Sequence, residues 1–123
     1  MFDSFKAAGA IAGLMKNKEG LKQAGERVKQ RLGELRALGS AGGGAVSVTV
    51  NGQMNVLEVS LSPALAANLT SDVPSRAMAE TLIAEAVNDA LRQAQQMAHR
   101  EIKKEADALG LPNIPGLETL LGG

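Results

Sequence analysis

The chain contains no cysteine, tryptophan or tyrosine, only two phenylalanines, at Phe2 and Phe5, and a single histidine, His99. Without cysteine there is no disulfide framework, no thiolate zinc site and no thiol nucleophile. One histidine leaves no imidazole cluster for a metal and one side chain that titrates near neutrality. A stacking platform for single-stranded nucleic acid needs several aromatics and is excluded with them. Charge of one sign is missing too, because 13 Lys and Arg balance 13 Asp and Glu. Any attraction for a polyanion must therefore come from segregated charge and not from net charge. No apolar run approaches the roughly 20 residues that span a bilayer. The longest uncharged candidate, Ala7 to Met15, is short and rich in Ala and Gly, and Asp3 precedes it where a secretory leader would be basic. These absences predict a soluble cytoplasmic chain with no cofactor, no metal, no membrane association and no small-molecule substrate. They also predict a protein that is not an enzyme.

What is present is 123 residues, 45% hydrophobic and 21% charged, one domain's worth of ordinary globular composition. From Phe5 to Leu38 the apolar residues keep helical spacing. Leu14, Leu21, Val28 and Leu35 recur every seven residues, with Ala24, Leu32 and Leu38 on the same side. Gly9, Gly13, Gly20, Gly25 and Gly33 interrupt this helix, each costing on the order of 1 kcal/mol against Ala, so packing must hold it. Gly39 stops the helix, and Gly42 to Gly44 form a hinge before the pattern changes; neither phosphate-loop spacing, GxxxxGK[ST] or GxGxxG, is present there.

Val46, Val48 and Val50 alternate with Ser47 and Thr49, a strand with one buried face. Asn51-Gly52 signals a two-residue hairpin, which would set Val46 opposite Leu57 and Val48 opposite Asn55. The returning strand carries Leu57, Val59 and Leu61. Two strands alone are marginal in water, so Leu38 to Ala41 is expected to add a short third strand, or a second subunit to extend the sheet. Ser62-Pro63 suits the cap and first position of a helical turn through Leu65.

A second long helix follows over 75–109, marked by a stripe of small residues including Ala79, Ala86, Ala90, Ala94 and Ala98, and closed by Gly110 and Pro112. The expected layout is α+β, with helix 5–38, sheet 39–61 and helix 75–109 in a single domain over 1–110. An apolar tail rich in Pro and Gly occupies 111–123, where Leu111, Ile114, Leu117, Leu120 and Leu121 suit a docking role. Asn88 and Asp89, in mid-helix, suit fixing a helix contact or binding backbone of the sheet better than catalysis.

The charges divide. Residues 1–36 hold eight bases against four acids, a net +4, which leaves −4 for the remainder. Lys18, Lys22, Lys29 and Arg36 form one stripe of the first helix, with Arg27 and Arg31 on the other flank. Arg92, Arg100, Lys103 and Lys104, with Glu101, make 92–104 basic. Two readings of the stripe stand: ion pairs with Glu80, Glu85 or Asp89 of the second helix, or a ridge that contacts phosphates. His99 is either solvated or a phosphate donor beside these bases.

Layout and residues together resemble the YbaB/EbfC family of bacterial nucleoid-associated proteins. The likeness runs through the basic first helix with Leu14-Met15-Lys16, the block GGAVSVTVNGQMNVLEVSLSPAL from Gly43 to Leu65, LIAEAVNDALRQAQ from Leu82 to Gln95, and LGLPNIPGL from Leu109 to Leu117. The resemblance implies an α-β-β-β-α fold, a tweezer-like homodimer, double-stranded DNA as the partner, and a cytoplasmic, nucleoid location. On this reading Lys16, Lys18, Lys22, Arg27, Lys29, Arg31, Arg36, Arg92, Arg100, Lys103 and Lys104 are the candidate phosphate contacts. The seven-residue repeat and the incomplete sheet make Leu14, Leu21, Val28, Leu35, Val46, Val48, Leu57 and Val59 the candidate dimer interface. The alternative is an adaptor without direct DNA binding, whose tail and helices dock recombination or repair proteins.

Overall fold

The computed structural model describes residues 18–110, in the order helix α1 (Lys18–Glu34), strands β1 (Ala37–Ala41), β2 (Val46–Val50) and β3 (Val56–Leu61), and helices α2 (Pro63–Asn68) and α3 (Val73–Ala108). The three strands form one antiparallel sheet in the order β1-β2-β3. The α-β-β-β-α architecture expected above is the one observed, with a small open sheet. Expectations for helix 5–17, for Leu14 and Lys16, and for the tail 111–123 lie outside the described residues.

The described residues form two compact units, Glu34–Met97 on one hand and 18–33 with 98–110 on the other. In the first, Val46, Val48 and Val50 are fully buried and share a core with Ala37, Leu65, Ala79, Ala86, Ala90 and Ala94. The valines stiffen the strand through their branched Cβ, and the alanine stripe lets α3 lie close over it. Gly39 marks the closest approach. A Cβ there would stand 2.6 Å from the Ala86 carbonyl oxygen and 2.7 Å from the Ala90 Cα, both backbone atoms. The small-residue stripe is thus the surface on which β1 rests.

The first helix ends earlier than the 5–38 expectation. Leu35 and Arg36 connect it to β1, and Ala37 and Leu38 belong to the sheet. Strand alternation prevails because Ala37 and Gly39 pair with Val50 and Val48 on the core face while Leu38 points out. The glycine run Gly42 to Gly44 is the β1-β2 turn and not a hinge. All three residues have positive φ, and the Ala45 N–H donates to the Gly42 carbonyl at 3.3 Å, a conformation open at little cost only to glycine.

The second hairpin corrects the register. Val46 pairs with Leu61 and Val48 with Val59, not with Leu57 and Asn55. The loop is longer than Asn51-Gly52: the Met54 N–H donates to the Asn51 carbonyl at 3.1 Å, Met54 sits at φ 64°, and the Asn51 N–H donates to the Asn55 carbonyl at 3.0 Å. This is a three-residue connection with its last residue left-handed. Asn51, buried, accepts at Oδ1 from the backbone N–H groups of Gln53 and Asn55 at 2.9 and 3.1 Å. Its side chain, more than the Asn-Gly pair, sets the turn. A register shift between Thr49 and Val50 then leaves Leu57 without a partner opposite it.

Ser62 caps α2 by accepting from the Leu65 N–H at 3.2 Å, with Pro63 in the first turn, and the helix runs on to Asn68. Asp72 precedes α3, which begins at Val73, two residues before the expected position 75. The Asp72 Oδ1 accepts from the Ser75 N–H at 2.8 Å, and that bond lowers the carboxyl's pKa.

Candidate nucleic-acid interface

The second unit carries most of the candidate bases. Ala24, Val28 and Leu32 of α1 are buried at four-residue spacing, as are Ala98, Ile102 and Ala106 of α3, the pattern of two helices that each bury one stripe. Charged side chains tie them together. Arg27 Nη2 donates to Glu105 Oε1 at 2.9 Å, and Arg31 Nη1 donates to Glu105 Oε2 at 2.8 Å and to Glu101 Oε1 at 3.3 Å. The earlier arginine meets the later glutamate and the later arginine reaches the earlier one, so the segments run antiparallel.

Glu105 is the centre of this network, its side chain only 6% exposed while Arg27 and Arg31 stay about half exposed (48% and 42%). The Arg27 hydrogen bond, against the cost of burial and with help from Arg31, holds its carboxyl below the usual range. Glu105 is therefore ionised at neutral pH. No buried side-chain polar atom among the described residues lacks a partner.

The candidate bases thus fall into distinct groups. Arg27 and Arg31 are engaged by Glu101 and Glu105. Lys22, Lys29, Arg100, Lys103 and Lys104 are exposed. Lys18 opens α1. Arg36 and Arg92 belong to the sheet-bearing unit, where Arg36 Nη1 donates to the Leu35 carbonyl at 2.9 Å and Arg92 lies 3.8 Å from Asp89. Of the acids expected to compete for the lysine stripe, Glu80 pairs with Arg76 at 3.6 Å. Asp89 accepts from the Ser40 N–H at 3.1 Å, binding backbone of the sheet as expected from its position. Sequence reasoning missed Glu105, one residue beyond the span counted as basic. The signal was there: Glu101 and Glu105 repeat the four-residue spacing of Arg27 and Arg31.

The candidate interface residues divide likewise. Val28, Val46 and Val48 are fully buried within the chain; Leu21 and Leu35 are half-buried. Leu57 and Val59 are 47% and 45% exposed on β3, with Val56 beside them at 45%. No group of three His, Asp or Glu among the described residues could hold a metal. No helix among them is long and apolar enough to cross a membrane.

A small open antiparallel sheet backed by one long helix makes this an α+β fold, and the helical unit carries exposed bases. Residues 8–109 match the model of the YbaB/EbfC DNA-binding family, and the chain belongs to that family. It is 38% identical over 109 residues to a nucleoid-associated protein of Acetivibrio thermocellus, covering 89% of this chain and 90% of that one. It is 33% identical over 113 residues to a nucleoid-associated protein of Legionella pneumophila, with 92% and 91% covered. Among solved structures it resembles an uncharacterized protein of Helicobacter pylori with a TM-score of 0.54 at 20% identity, covering 80% of this chain and 91% of that one.

Proposed function

We propose that the protein binds double-stranded DNA as a homodimer, mainly through the phosphate backbone and with little base readout, in the nucleoid of the cytoplasm. The observation that carries this reading is the match to a DNA-binding family over nearly the whole chain. The exposed lysines and Arg100 of the helical pair supply the chemistry, since bases on helix surfaces neutralise phosphates without reading sequence.

The unequal edges of the sheet support self-association. On β1, the Ser40 N–H is occupied by the Asp89 carboxylate, a charged cover that discourages strand addition. β3 is the other edge, and it exposes Val56, Leu57 and Val59 together. An apolar strand edge of this kind is a pairing surface, and a second copy of β3 is its occupant. Two measurements test the reading together. Sedimentation at micromolar concentration should give a dimer, and mobility shifts on duplexes of unrelated sequence should give similar affinities. A monomer contradicts the first part. Strong preference for one duplex, or no shift at low salt, contradicts the second.

A further inference from the structure

The sheet of the unit Glu34–Met97 ends in two edges that are built differently. Along an antiparallel strand, successive residues turn their backbone groups alternately toward the partner and away from it. The Ser62 N–H donates to the carbonyl of Ala45, the residue before β2, at 2.8 Å, so along β3 Ser60 faces β2 while Val59 and Leu61 turn their backbone groups outward. On β1 the Ser40 N–H points away from β2 and ends on Asp89 Oδ2 at 3.1 Å. By the same alternation Leu38 also turns outward, and its side chain is 68% exposed. This edge thus has the outward backbone and the apolar side chain that strand addition needs, but one of its donors is held by a carboxylate. Packing puts that carboxylate in reach. The closest approach of α3 to the sheet is at Gly39, against the backbone of Ala86 and Ala90, which brings the flank of the helix at Asp89 to Ser40. The other oxygen of Asp89, Oδ1, lies 3.8 Å from Arg92.

We propose that Asp89 closes the β1 edge against strand addition, so that self-association through β3 stops at two copies. The inference rests on the β3 pairing above and adds where assembly ends. Two copies joined through β3 form a sheet whose outer strands are both β1. Were those edges open, dimers would add to one another edge to edge without closing. An incoming strand would have to replace a charge-assisted hydrogen bond by a neutral one. It would also strip a partner from a carboxylate that it covers, which costs more than the new backbone bond returns.

The test is sedimentation velocity of the full chain over a range of concentrations, with circular dichroism as the check of fold. Asp89→Ala, a change that favours helix, should turn a single dimeric boundary into larger species that grow with concentration. Adding Leu38→Lys to that variant places a new charge on β1, as edge strands commonly carry, and should restore the dimer. An Asp89→Ala chain that stays dimeric throughout overturns the proposal. So does association that survives Leu38→Lys, since growth then does not run through β1. Hydrogen exchange tests the wild-type chain without any substitution: the Ser40 amide should be protected although it lies on an edge, and exchange as fast as in an open chain overturns the closure. A wild-type chain that sediments as a monomer removes the β3 pairing alone. Asp89→Ala should then convert monomer to dimer through β1, and its failure to do so removes the role of Asp89 as well.

Discussion

Replacing Glu105 by Gln removes one charge from the centre of the helical pair while preserving its shape. The wild-type carboxylate accepts two charge-assisted hydrogen bonds, from Arg27 at 2.9 Å and Arg31 at 2.8 Å, and is almost completely buried. Hydrogen bonds to charged groups are worth roughly 1.5–3 kcal/mol each. Both guanidinium groups are about half exposed and recover water when released, and the amide oxygen of Gln retains one acceptor, so the net loss should be about 2 kcal/mol. For a chain of this size that lowers Tm by about 10 °C. The sign with pH follows from the lowered pKa of Glu105. Stabilisation from a carboxylate whose pKa is depressed by folding is present above the unfolded value, about 4.3 for Glu, and is lost as pH falls through the folded value. The gap between wild type and variant should therefore be full at pH 7 and shrink below about pH 4.3. Thermal unfolding followed by circular dichroism from pH 3 to 7 measures it. A variant as stable as wild type at pH 7, or a gap that widens in acid, refutes the reasoning.

Gly39→Ala should destabilise by about 3 kcal/mol, because the new Cβ would meet backbone of Ala86 and Ala90 at 2.6 and 2.7 Å and neither helix nor strand can yield cheaply; denaturant titration reads the midpoint. Asn51→Ala should cost about 1–3 kcal/mol by leaving the Gln53 and Asn55 N–H groups without their acceptor, with hydrogen exchange accelerated in the 51–55 turn. Leu57→Asp changes an exposed side chain of β3, so it should shift sedimentation from dimer to monomer with the helical circular dichroism signal intact. A folded dimer of that variant would remove β3 from the interface.

The parts of the fold that were legible in the sequence are those with a strong period. The alternation from Val46 to Val50, the alanine stripe of the long helix and the Ser62-Pro63 start of a helix all appear where local pattern placed them. Leu38 continues the apolar spacing of the expected helix 5–38 and also opens the expected third strand Leu38 to Ala41; pairing with β2 and the close approach of α3 at Gly39 decide for strand and extend it back to Ala37. The hairpin register escaped because Asn-Gly is a strong two-residue signal, whereas Asn51 uses its side chain to cap a longer loop that ends in a left-handed Met54. That choice depends on burial of Asn51, which no local pattern encodes. In the candidate interface, the bases themselves could be read directly from the sequence. The pairing of Arg27 and Arg31 with Glu101 and Glu105 could not, because it depends on which glutamates an antiparallel partner brings within 3.3 Å.

The central claim, duplex DNA binding through phosphate contacts, is tested most directly by fluorescence anisotropy of a labelled duplex titrated with the wild-type chain at several salt concentrations. Phosphate contacts predict a clearly negative slope of log affinity against log salt, about −0.9 for each phosphate neutralised, and the same slope on duplexes of different sequence. A slope near zero, or no rise in anisotropy at the lowest salt, would contradict it.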